Sequence, residues 1–228
     1  MSGLIFAIVV SIGLPLAFLV YACYRKNFAA YLLGVLAFVG SQILLRIPLL
    51  EYLGKNSTEF IMFSKTQPVI FAIMIGLSAG IFEEVARFIF MRFLMSKRDW
   101  QSGFLFGAGH GGIEAVLIVG VPAIALLFTQ TMTFQSELFF VGGIERLFAM
   151  MLHIGLSIIV LQGVVRKNFM YVLLAIALHG FVDASVGILP LFVSKGHLLL
   201  VQEIMVAITA LAVFIYSIRL KRRGEELQ

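Results

Sequence analysis

Seven stretches of this sequence are apolar on every side for the length of a membrane-crossing helix. No other feature limits the fold as much. They run over about 3–23, 28–50, 69–95, 102–128, 139–164, 169–192 and 198–218. A hydrocarbon core of ~30 Å needs roughly 20 helical residues to cross it. Barrel strands would alternate apolar and polar residues, and these blocks do not. Composition agrees: 61% of the 228 residues are hydrophobic, 13% are charged, and the mean hydropathy is +1.05. A soluble domain carries about twice that charged fraction. The chain reads as all-α, a single polytopic membrane domain over 1–228, with no soluble domain at either end.

Charge then sets orientation. Alternate connections carry Arg25, Lys26, Lys97, Arg98, Arg166, Lys167, Arg219, Lys221, Arg222 and Arg223, whereas the opposite set holds Lys55, Lys65 and Lys195. Basic loops stay cytoplasmic, so the N-terminus is expected outside and the C-terminus inside. The net charge of +5 is therefore a topology signal, with anionic lipid headgroups as its natural partners and no nucleic acid implied. Cys23 is the single cysteine, so neither a disulfide within the chain nor a thiolate metal cluster can form. No positive charge precedes the first apolar run, which is expected to remain uncleaved. The connections at 51–68 and 129–138 read as the two longer loops. A bacterial plasma membrane fits so compact a chain.

Ionisable side chains inside the spans carry the chemistry. Each costs ~2.5–3.5 kcal/mol to insert, so such residues face a bundle interior or a cavity. Span three holds Glu83, Glu84 and Arg87, and span four holds His110 and Glu114. Span five holds Glu145, Arg146 and His153, and span six holds His179 and Asp183. At ~1.5 Å per residue from the basic end, His110 lies about 12 Å deep. Glu84, His153 and His179 lie about 15–16 Å deep, and Glu114 and Asp183 about 18–21 Å. Residues 69–192 thus form a four-helix core with one slab of acids and imidazoles. Arg87 can pair with either glutamate on its own helix, and His110/Glu114 and His179/Asp183 share faces at i, i+4. Arg46 and Arg92, near span ends, are expected to snorkel to the interface. Glu145 with Arg146 reads as a local clamp, and Glu203 as structural.

Adjacent carboxylates in a low-dielectric site repel, so one is suited to hold a proton while the other stays ionised beside Arg87. Three imidazoles beside them can polarise a water and a carbonyl, with His179 and Asp183 stabilising an oxyanion. They can equally bind zinc and leave a position for water. Both routes lead to amide hydrolysis inside the membrane. Ser157 and Ser185 have no nucleophile setting, and the HEXXH signature is absent.

The strings GIFEEVARF (80–88), GHGGIEA (109–115), ERLFAMMLH (145–153) and HGFVD (179–183) resemble the YhfC family of intramembrane metallopeptidases. More distantly they are similar to the CAAX-prenyl-protease and bacteriocin-processing proteases. The resemblance implies Glu83 or Glu84 as base, supported by His110, His179 and Asp183. Two features depart from the prenyl-protease pattern: the arginine is one residue closer to the glutamates, and His153 is an additional imidazole that favours a metal.

The expected function is peptidase action on a membrane-embedded, lipidated or hydrophobic peptide, at a site open towards the basic, cytoplasmic half. Glu83, Glu84, Arg87, His110, His179 and Asp183 form the catalytic set. His110, His153 and His179 are the metal candidates, with zinc as the ion, and Glu114 contacts substrate. The alternatives are a proton- or metal-coupled transporter, a protein that binds hydrophobic peptide without cutting it, or a peptidase fold that has lost activity.

Overall fold

The computed structural model describes residues 1–128 and 136–225, with side chains omitted at Ser136, Glu137 and beyond Lys221. The loop expected at 129–138 falls mostly outside the described residues, as do the side chains of Arg222 and Arg223. The described chain is helical nearly throughout and contains no strand. Among the described residues, seven helices are long and apolar enough to cross a membrane: Ser2–Tyr24, Phe28–Asn56, Pro68–Leu94, Trp100–Leu127, Leu138–Val165, Met170–Phe192 and Lys195–Lys221. These are spans one to seven, and they match the apolar runs in order and extent. The 51–68 connection is less open than its polarity suggests. Span two continues to Asn56, and Ser57 Oγ accepts from Phe60 N to start a separate helix over Thr58–Thr66.

Four spans carry wide, π-helical stretches, and proline explains three of them. Proline lacks an N–H and crowds the carbonyl four residues before it. For Pro15, Pro48 and Pro122 that carbonyl belongs to Ser11, Leu44 and Ile118, each inside a π-helical stretch (Val9–Gly13, Val39–Arg46 and Val116–Gly120). A fourth π-helical stretch, Phe90–Leu94, ends span three. π-Bulges often fall at functional sites, and Val39–Arg46 supplies one residue of the site below.

Two hairpins turn on the same four residues. Arg-Lys-Asn-Phe recurs at 25–28 and 166–169. In both copies the lysine, Lys26 or Lys167, takes a left-handed backbone with φ of 51° or 53°. These turns join spans one to two and five to six at the basic end.

Span five is the hub, with 72% of its most apolar window buried against 17% for span seven. Lipid offers no hydrophobic drive for helices to associate, so close contact of small residues does that work. Gly76 and Gly80 of span three lie against the span-six backbone, where a Cβ would come within 2.3 Å of Ala184 N and 2.6 Å of Ile176 O. Span four meets span two the same way, since a Cβ on Gly109 would stand 2.1 Å from Tyr31 O. These seams draw spans two to six close enough for side chains three and four turns deep to touch.

Gly109→Ala should therefore force spans two and four apart and cost roughly 1–3 kcal/mol, the usual penalty of overpacking. Gly54→Ala, where an added methyl meets open space, should be neutral or better. Thermal unfolding in detergent, followed by loss of the monodisperse chromatographic peak, reads both.

Candidate functional site

The site is centred on a buried guanidinium. Arg87 has no exposed surface. Its Nη1 donates to Glu84 Oε1 (2.7 Å), and its Nη2 donates to Glu83 Oε2 (3.3 Å) and to His153 Nδ1 (2.6 Å). The i, i+3 and i, i+4 spacings on span three make the two carboxylate contacts local, and the glycine seams bring His153 from span five. Glu83 also accepts from His110 Nε2 (2.8 Å) and from Gln42 Nε2 (2.5 Å). Glu84 is fully buried, and its Oε1 accepts from His179 Nδ1 (2.6 Å) as well as from Arg87. Its second oxygen, Oε2, has no hydrogen-bond partner among the described residues.

These contacts fix the imidazole tautomers. A guanidinium only donates, so His153 Nδ1 must accept, and its proton sits on Nε2, 2.5 Å from Glu114 Oε2. His179 carries a proton on Nδ1, facing Glu84, and its Nε2 is the nitrogen left to meet a ligand when the ring is neutral. Two ring nitrogens lie near one carboxylate oxygen: His153 Nδ1 is 4.0 Å and His179 Nε2 3.8 Å from Glu83 Oε2. The three donors all lie within 4.8 Å of one another. Four-coordinate zinc with bonds of ~2.0–2.2 Å holds its donors about 3.3 Å apart, so a small inward closure would suffice. Each of these imidazoles also rests its other nitrogen on a carboxylate, the arrangement that orients histidine ligands in metal sites. The donor set, two imidazole nitrogens and one carboxylate, suits a catalytic ion.

All six expected catalytic residues lie in or beside this cluster, with different partners than spacing alone suggested. His110 packs against Glu83, and its ring lies 5.3 Å from that of His153. Its Nδ1 is buried and unpartnered among the described residues. Glu83, rather than His110, completes the three-donor group with His153 and His179. Asp183 stands 3.9 Å from His179 Nε2 and is part-exposed, while Glu84 is the carboxylate that orients His179. Glu114 bridges His153 and Arg146 Nη1 (2.9 Å). Arg146 also grips Glu145, so the expected clamp exists and reaches the site through Glu114.

Charge counting missed one residue and gave another a different place. Gln42 is neutral, so it carried no signal, yet it comes from span two to hold Glu83. Arg46 does not snorkel. It is bound to Gln42 Oε1 (3.1 Å), Ser78 Oγ (2.9 Å) and Ile75 O (2.9 Å). Its bond to the Gln42 oxygen turns the amide so that its nitrogen faces Glu83. The widened turn of span two places both residues on this face, and the polar cluster extends beyond the 69–192 core.

A family model described as YhfC intramembrane metalloprotease matches residues 6–138 and 125–211. The chain belongs to this family. It is also 33% identical over 183 residues to the uncharacterized membrane protein YhfC of Bacillus subtilis (strain 168), covering 68% of this chain and 70% of that one. Membership and the seven apolar helices together make this YhfC-family chain a multi-pass membrane protein whose cluster of buried glutamates and histidines could hold a metal ion.

Removing one partner of a buried ion pair costs about 3–5 kcal/mol, because a charge is left uncompensated. Arg87→Met should therefore abolish the folded, monodisperse protein. Arg87→Met combined with Glu84→Gln should recover part of the yield, and size-exclusion profiles of the purified variants test both statements.

Proposed function

We propose that this protein is an intramembrane peptidase in which Glu84 activates the attacking water beside a group formed by Glu83, His153 and His179. The observation that carries this reading is the gathering of Glu83, His153 and His179 with their ligand atoms within 4.8 Å of one another, next to a glutamate with one buried oxygen unpartnered among the described residues. Zinc is the ion that this donor set suits, held by Glu83 Oε2, His153 Nδ1 and His179 Nε2. When bound, it would supply Lewis-acid polarisation of a carbonyl and a more acidic water.

The chain's own residues do the rest. Glu84 Oε2 takes the proton of the attacking water, while Oε1 stays on Arg87 and His179. Protonated Glu84 then hands that proton to the leaving amine, the usual double duty of one carboxylate. Arg87 keeps the two carboxylates apart in charge and in space. Glu114, braced by Arg146, holds the His153 ring in the tautomer that points Nδ1 inward. Asp183, on the exposed side of His179, is placed to accept an N–H of the substrate. A membrane-embedded or lipidated hydrophobic peptide is the substrate class, since the site is reached only within the bundle.

One contact favours a metal-free variant of the same reaction. Arg87 Nη2 occupies the His153 lone pair at 2.6 Å, so an ion at Glu83 must exchange that bond. In the metal-free form the guanidinium keeps this place, and Glu84 with His179 alone orients the water.

Elemental analysis of protein purified in detergent separates the two forms. About one zinc per chain is expected in wild type and in Glu84→Gln, with loss of the metal in His153→Ala and His179→Ala. Stoichiometric absence from folded wild type would sink the metal form. Glu84→Gln should abolish cleavage of a hydrophobic reporter peptide in either form, a loss of at least 10²-fold for a missing general base.

A further inference from the structure

The buried cluster borders a cavity. A cavity of about 260 Å³ lies between spans five, six and seven, with His153 and His179 at its inner end. Glu145, Val186 and Gln202 line its other end. Those three residues lie within about two helical turns of Leu138, Phe192 and Lys195, where their spans end away from the basic loops. The sequence pointed to an opening at the basic end, but there the packing is closed. One turn from the site in that direction stand Met91, Phe106, Ser157 and Ala175, each without exposed surface. Behind them Leu161 and Val172 are equally buried. A second cavity, of about 220 Å³, does exist at the basic end beside Phe88, Arg92 and Lys167, but it shares no lining residue with the site.

We infer that water and the scissile peptide reach His153 and His179 from the end of the bundle opposite the basic loops, through the cavity between spans five, six and seven. This inference rests on the peptidase reading for its substrate and on packing alone for its direction. Under the charge rule that end is the outer one, so the peptide comes to the mid-membrane site from the outer half of the bilayer. The substrate is then a peptide segment that enters, or unwinds in, that half.

The lining supports such a guest. A helix cannot be cut until its backbone is freed, and freed N–H and C=O groups in a membrane need polar partners or a water-filled cavity. Asp183, Glu145 and Gln202 provide polar atoms along the cavity wall, and Ala149, Val182 and Val206 provide the apolar remainder. Span seven is the least buried wall. At this level Gln202 Nε2 donates to Ser185 Oγ (3.1 Å), tying span seven to span six. Pro190, inside span six, removes a backbone bond to Val186 at the cavity rim. The wall through which a membrane-embedded peptide would pass is thus the lightly held one.

Sidedness of chemical labelling tests the route without needing a substrate. Ala149→Cys and Gln202→Cys are placed singly in a Cys23→Ser chain, with Lys65→Cys and Lys97→Cys as references for the two faces. A charged, membrane-impermeant methanethiosulfonate reagent is added to sealed vesicles of each orientation. Both cavity cysteines should label from the face that labels Lys65→Cys, with loss of labelling from the Lys97→Cys face. Ala175→Cys should label from neither. Labelling of the cavity cysteines from the Lys97→Cys face, or from neither face, overturns the inference, and so does labelling of Ala175→Cys from the Lys97→Cys face. Failure to cleave any peptide would count against the peptidase reading and leave this result standing.

Discussion

Arg87 is a cation with no exposed surface in a bundle that must sit in hydrocarbon. A charge there is tolerated only when its donors are met by acceptors at close range. Arg87 finds two glutamates on its own helix and an imidazole on span five, and each of these groups needs further partners of its own. Glu83 draws in His110 and Gln42, Glu84 draws in His179, and His153 draws in Glu114 and, behind it, Arg146. One guanidinium thus ties together side chains from five spans. The planar fork of arginine suits this role, since a lysine ammonium could not serve two carboxylates and a ring nitrogen in one plane.

The same network restricts what the site can do. His153 Nδ1 and His179 Nε2 both stand within 4.0 Å of Glu83 Oε2, and Arg87 holds the first of them. Preorganisation of this kind matters more inside a membrane than in water. A loose polar group there would satisfy itself elsewhere, on its own backbone or on a neighbour. Ser157 and Ser185, both buried, show the contrast, since Ser185 Oγ already donates to Val182 O and Ser157 Oγ has no partner among the described residues. Neither sits within the ring of acids and imidazoles that could activate it.

Much of this was legible in the sequence because the membrane makes charge expensive. A residue such as Glu84 or His179 within an apolar run stands out with no structural knowledge, and counting depths from the basic end assigned both to one slab. Pairing was not legible. Residues at equal depth on different helices can face in any direction, so the choice of Glu84 over Asp183 for His179, or of Glu114 for His153, depended on helix rotation that spacing does not give. Gln42 escaped notice because it is neutral, and Arg46 because its position near a span end suggested water within reach. The π-helical stretches were written in the prolines at 15, 48 and 122, although the pattern becomes readable only beside the carbonyls four residues earlier.

Orientation and access are set by separate parts of the chain, which is why one does not follow from the other. Orientation comes from lysines and arginines in the connections and is decided as the helices insert. Access comes from side-chain volume within the bundle. Toward the basic end, Phe106 and Met91 fill the turn beside the cluster, and the glycines of span four remove the space that a groove would need. Toward the other end, a cavity remains between spans five, six and seven, with Ala149, Val182 and Val206 among its lining. Close packing on one side of the polar cluster and a cavity on the other are enough to give the site a direction.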